Sequence, residues 1–88
     1  MIGFVPVLGE KREIHIMPAI DIQVLEGVFS DDEKRAMIEK VTGAFAEVAG
    51  QTIRAGTSVR IHEVKSRSWG YAGSVLTTED AKAMRARG

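Results

Sequence analysis

The sequence predicts an α+β domain built as strand–helix–strand. Its strands run parallel, a second copy of the chain completes the sheet, and a short hairpin and helix close the C-terminus. Three observations predict this. Residues 19–25 and 57–64 alternate apolar and polar side chains with the period of a half-buried strand. Residues 31–49, between them, repeat apolar side chains at helical spacing. The chain has 88 residues and no cysteine, so a single small domain must be stabilised by something other than disulfides.

Each element has its own signature. In the first strand Ile20, Ile22 and Val24 fall on one face, Asp21 and Gln23 on the other. Glu26-Gly27-Val28-Phe29 then turns the chain. Ser30-Asp31-Asp32-Glu33 has the form of a capping box, and its aspartates suit the positive end of a helix dipole. The helix runs from about Asp31 to Ala49, with Met37, Ile38, Val41, Ala44, Phe45 and Val48 as the buried stripe. Lys34, Arg35, Glu39, Lys40 and Glu47 are expected away from that stripe, and Gly50 is expected to stop the helix in the left-handed conformation. In the second strand Val59, Ile61 and Glu63 share one face and Ser58, Arg60 and His62 the other. The loop Lys65-Ser66-Arg67-Ser68 leads to Trp69-Gly70-Tyr71-Ala72-Gly73, where glycines around aromatics suggest a turn or short hairpin. Thr77-Thr78-Glu79-Asp80 resembles a second cap, opening a short helix to about Arg85.

Strand, helix, strand in this order implies parallel strands joined by a right-handed crossover. A sheet of two strands is marginal in water. The chain is therefore expected to be a homo-oligomer, assembled through its sheet edges and its uncovered sheet face.

Composition excludes several classes of function. Twelve Lys+Arg balance twelve Asp+Glu for a formal net charge of +0, unlike a general binder of nucleic acid or anionic membrane. No apolar run approaches the roughly 18 residues that span a bilayer. The apolar start Met1–Leu8 lacks a basic leader, so the expected location is cytoplasmic. His15 and His62 are too few and too separated to form a zinc site, and no glycine precedes a Lys-Ser or Lys-Thr pair as a phosphate loop requires. No metal and no cofactor is expected.

Met17-Pro18-Ala19-Ile20, Leu25-Glu26-Gly27-Val28-Phe29-Ser30, Lys34-Arg35, Val41-Thr42, Glu63-Val64, Trp69-Gly70-Tyr71-Ala72-Gly73 and Leu76-Thr77-Thr78-Glu79-Asp80 stand in order. Together they resemble the 4-oxalocrotonate tautomerase family of the tautomerase superfamily, over residues 17 to about 83. The resemblance implies the βαβ tautomerase fold, dimers with a four-stranded sheet, and hexamers built as trimers of dimers. It also implies an N-terminal proline acting as general base, arginines that grip a substrate carboxylate, and an apolar wall near the end of the second strand. It implies neither cofactor nor metal. It divides the chain into an N-terminal extension, 1–17, and a tautomerase-like domain, 18–88.

Pro18 carries the chemistry. Inside a chain its nitrogen is an amide without basicity. At an N-terminus it is a secondary amine, and an α-amino group starts near pKa 7.7–8.0. Apolar surroundings and nearby cations lower that value, and a fall of roughly one unit leaves much of the amine neutral near pH 7. Three accounts of the preceding residues compete. Met17 is the true initiator, later removed; or the extension is cut off after translation; or it stays and activity is lost or changed. The first is favoured, because Gly9-Glu10-Lys11-Arg12-Glu13 suits purine-rich codons at the distance of a bacterial ribosome-binding site. An extra strand or a disordered arm is the structural alternative for this segment.

Arg60, in mid-strand, is a candidate carboxylate anchor through its bidentate fork, and equally a partner in an intersubunit salt bridge. Arg54 closes the site from a neighbouring subunit or sits in a solvated loop. Trp69, the only tryptophan, walls the substrate or anchors the subunit interface. Leu25 contributes to the same wall or to the core. The resemblance would also place an arginine just after the Glu-Gly turn, where this chain has Val28. A monocarboxylate or a phenyl-bearing enol acid is then accommodated more easily than a dicarboxylate. The expected function is a cofactor-independent isomerase interconverting keto and enol forms of a small carboxylic acid. The alternatives are dehalogenation or decarboxylation on the same scaffold, or a non-catalytic oligomer in which Pro18 stays internal.

Overall fold

A computed structural model describes residues 18–88. The extension expected at 1–17, with His15, lies outside the described residues. Seven elements follow: β1 (Ala19–Leu25), α1 (Asp31–Ala49), α2 (Gln51–Arg54), β2 (Ser58–Val64), β3 (Trp69–Tyr71), β4 (Ser74–Leu76) and α3 (Thr78–Ala86).

Strands β1 and β2 pair in parallel, from Ala19↔Ser58 to Leu25↔Val64. The ladder continues at both ends: Ser58 N donates to the Pro18 carbonyl at 3.0 Å, and Glu26 N to the Val64 carbonyl at 2.8 Å. Ile20, Ile22 and Val24 are half-buried while Ala19, Asp21 and Gln23 are exposed, as the alternation requires. Strands β3 and β4 form a separate antiparallel hairpin, Trp69↔Leu76 to Tyr71↔Ser74. Its two turn residues, Ala72 and Gly73, have φ of 50° and 85°. Positive φ at both central positions marks the hairpin turn whose twist matches its strands.

Helix α1 begins on the expected capping box: Glu33 N donates to Ser30 Oγ at 3.1 Å and Ser30 N to Glu33 Oε1 at 2.9 Å. Its far end differs from expectation. Gly50 has φ 111° and ψ 148°, an extended positive-φ conformation open essentially to glycine alone, not the left-handed helical one. The chain then enters the four-residue helix α2, which the sequence pattern did not signal.

Two expectations about the face of α1 are corrected. Ala44 and Val48 lie outside the buried stripe, Val48 at 92% exposure, whereas Ala46 is 1% exposed. At about 100° per residue the buried centre is rotated toward Ile38, Thr42, Phe45 and Ala46, leaving Ala44 and Val48 on its edge. Lys34 belongs to the packed face: its Nζ donates to Glu63 Oε2 on β2 at 3.1 Å. Alternation puts Glu63 on the helix side of the sheet, and the Lys34 side chain, 24% exposed, reaches across to meet it. This bond raises the Lys34 pKa.

Helix α3 has a second capping box, with Asp80 N donating to Thr77 Oγ1 at 3.1 Å and Thr77 N to Asp80 Oδ2 at 3.0 Å. Glu26 joins three connections. Its Oε2 accepts from Ser66 N at 2.9 Å, its carbonyl accepts from Thr78 Oγ1 at 2.7 Å, and Thr78 N donates to Ser66 Oγ at 2.9 Å. Among the described residues only Leu25 and Ala46 are buried. No helix among them is long and apolar enough to cross a membrane.

Candidate active site

The residues singled out by sequence fall into three places. Pro18 is half-buried just before β1, fixed by its carbonyl's bond from Ser58 N at 3.0 Å. Arg54, at the end of α2, lies at the same end of the sheet, because Thr57 N donates to its carbonyl at 3.2 Å. Its guanidinium reaches back over α1: a Cβ placed on Gly43 would stand 3.4 Å from Arg54 Nη1. A small residue at 43 is what admits the arginine so close.

Arg60 stands in the middle of the sheet. It is opposite Asp21 in register, and Nη1 lies 3.5 Å from Asp21 Oδ1. His62 Nε2 is 3.3 Å from the same oxygen. This cluster is on the open face of the sheet, with all three side chains more than half exposed. Within one chain the arginine is engaged by a carboxylate of its own sheet, in a solvent-exposed pair worth little to stability.

Leu25 and Trp69 lie at the opposite end. Both line a cavity of about 320 Å³, with Val28, Phe29, Leu76 and Met84. Leu25, the last residue of β1, is 7% exposed. The β1–α1 turn contributes Val28 and Phe29, the hairpin Trp69 and Leu76, and α3 Met84. Arg85 stands on the rim. Its guanidinium carbon is 4.8 Å from the centre of the Phe29 ring, Nη1 donates to the Val28 carbonyl at 3.2 Å, and the guanidinium grips the Glu33 carboxylate. Arg85, with Ser30 N, holds the Glu33 carboxyl down at about 2, and Glu33 raises the Arg85 pKa in return.

The single chain thus brings Leu25 and Trp69 together but not Pro18, Arg54 or Arg60 with them. Strand β1 has seven residues at about 3.3 Å each, which puts Pro18 roughly 23 Å from Leu25. Sequence reasoning missed Arg85, Phe29 and Met84. The spacing of Ala81 and Met84 on one face of a short capped helix was a usable signal for the last. Nothing local marks Arg85, whose partners are more than 50 positions away. No group of three or more His, Asp and Glu among the described residues is arranged to hold a metal.

Comparison with known proteins gives a consistent result. The family model described as "Tautomerase enzyme" matches residues 18–79. The chain is 46% identical to a 2-hydroxymuconate tautomerase of Comamonas testosteroni over 57 residues, covering 65% of this chain and 87% of that protein. It is 40% identical to a 2-hydroxymuconate tautomerase of Pseudomonas putida over the same shares of the two chains. Among solved structures it resembles one from a study of the 4-oxalocrotonate tautomerase isozymes of Methylibium petroleiphilum. That likeness has 34% identity and a TM-score of 0.60, over 73% of this chain and 97% of that one. The parallel βαβ unit and the match over most of the chain agree, and the protein belongs to the tautomerase family of isomerases.

Proposed function

We propose that the protein interconverts keto and enol forms of a small carboxylic acid, with Pro18 as general base in a chain that begins there. The observation that carries this reading is the position of Pro18. It is the residue before β1, its carbonyl is tied to the sheet, and the family match starts at it. A free nitrogen at that point is held by the ladder on one side and rigid in its ring on the other.

The neutral amine takes the proton of the enol hydroxyl, and the oxygen's electron pair closes to a carbonyl. The displaced π pair takes up a proton at carbon from the prolyl ammonium. No atom is gained or lost, and no oxidant is needed. An arginine, Arg60 or Arg54, binds the carboxylate and stabilises charge developing on the enolate oxygen. Trp69 and Leu25 exclude water, which favours the neutral amine.

The separation of about 23 Å between Pro18 and the Leu25 end supports a site completed between copies of the chain. In that arrangement the Pro18 end of one subunit meets the Trp69 end of another. The meagre core, with Leu25 and Ala46 alone buried among the described residues, supports an obligate homo-oligomer, dimer or hexamer. The relatives named for 2-hydroxymuconate support an enol acid as the substrate class.

The test is ketonisation of phenylenolpyruvate by a chain beginning at Pro18 and by its Pro18→Ala variant. Most of the rate is expected to disappear in the variant, and the rate of the parent to fall as pH drops and the amine is protonated. Equal rates remove Pro18 as the base; a rate that falls as pH rises assigns it the role of an acid instead.

A further inference from the structure

The cavity at the Leu25 end has apolar walls and one cation at its rim. Among the described residues Arg85 is the only positive side chain on the lining, and its donors can be accounted for individually. Nη1 and Nη2 meet the two oxygens of Glu33 end-on, and Nη1 also donates to the Val28 carbonyl. Among the described residues nothing accepts from Nε or from the second Nη2 hydrogen. These two N–H groups form the side-on fork of a guanidinium, a geometry that matches a carboxylate.

The two neighbouring carboxylates leave that edge uncovered. Glu33 accepts from Ser30 N as well as from Arg85, and Asp80, also on the lining, accepts from Thr77 N. Stacking on Phe29 and the grip of Glu33 fix the guanidinium plane, so little side-chain freedom remains to be lost on binding.

We infer that the open edge of Arg85 is a carboxylate-binding group, and that the cavity beneath it takes the hydrophobic body of the same acid. The substrate class is then a monocarboxylate carrying an aryl or branched alkyl group. Arg85 acts as a specificity-determining residue. This rests on the reading that the chain acts on a keto or enol acid; it gives the carboxylate to Arg85, leaves the enolate oxygen to Arg60 or Arg54, and adds which face of the fold receives that acid.

The test uses the full 88-residue chain and reads binding, not turnover. Trp69 lines the cavity and is the only tryptophan, so its fluorescence reports occupancy directly. The probes are 3-phenylpropanoate and its neutral isostere, 3-phenylpropanamide. A charge-assisted fork predicts that the acid binds about tenfold or more tighter than the amide, and that added salt weakens the acid alone. In Arg85→Gln the two probes should bind alike, at the affinity of the amide. Arg85→Lys, which keeps the charge without the fork, should fall between.

Equal binding of acid and amide to the unmodified chain, no saturable quenching by the acid, or an undiminished preference in Arg85→Gln each overturns the inference. Should Arg85→Gln fail to fold, the acid-to-amide ratio and its salt dependence in the unmodified chain decide alone. The readout is binding alone and needs no proton transfer. A failed binding test leaves the proton transfer standing, and a failed Pro18 test leaves the binding result standing.

Discussion

Truncating Leu25 separates its two roles, as core residue and as cavity wall. Leu25→Ala removes three carbon groups from a side chain only 7% exposed. At about 0.8 kcal/mol for each buried CH₂, the transfer loss is about 2.4 kcal/mol. A sealed void would add to this in proportion to its volume. Here the vacated space opens into a cavity already present, about 320 Å³ in volume, so few additional contacts are forfeited. The expected loss is therefore about 2–3 kcal/mol, in the lower part of the range for such substitutions. Urea unfolding of both proteins, at one protein concentration because assembly contributes by mass action, measures it, with an unchanged slope as the two-state check. A loss below about 1 kcal/mol, or one above about 4 kcal/mol, contradicts this packing. The first would mean Leu25 is not packed; the second, that its surroundings are sealed.

Two other substitutions test local physics. Gly27 has φ +77°, and a Cβ there would stand 3.3 Å from Thr78 Cγ2. Gly27→Ala should cost about 1–2 kcal/mol in the same urea assay, and an unchanged midpoint would contradict the turn geometry. The Glu33 carboxyl is held at about 2 against an ordinary 4.5. A depressed carboxyl pKa stabilises fully above the ordinary value and loses its effect as pH falls through the folded one. The stability gap between the unmodified chain and Glu33→Gln should therefore be constant above about pH 5 and close between 4.5 and 2. A gap that persists at pH 2 contradicts the Arg85–Glu33 clasp.

What was legible in the sequence was whatever local periodicity encodes. Alternation placed Asp21 and Arg60 on one face and Glu63 on the other, and the structure has them there. Both capping boxes are read from four consecutive residues each, since the bonds that define them are local. The misjudged features needed tertiary placement. Lys34 looked solvated because its partner Glu63 is 29 positions away. Val48 looked buried because helical spacing alone does not say how far the covered face is rotated. Gly50 was correctly the stop, but ψ is set by where the chain goes next. For the candidate site, parallel pairing already implies that whatever follows β2 lies beside the end of β1, which is why Trp69 and Leu25 meet. Arg85 could not be found in this way. Its partners are brought together by the docking of α3 against the β1–α1 turn, and no spacing within the helix announces that.

An uncovered Pro18 amine is proposed to do the chemistry, and a single retained residue tests that. Two preparations are compared on phenylenolpyruvate, one beginning at Pro18 and one that keeps Met17, which turns the prolyl nitrogen into an amide while leaving the fold's described residues unchanged. kcat/KM is expected to fall by roughly 10²–10⁴ in the second, the range a general base contributes. Equal kcat/KM for the two would contradict it.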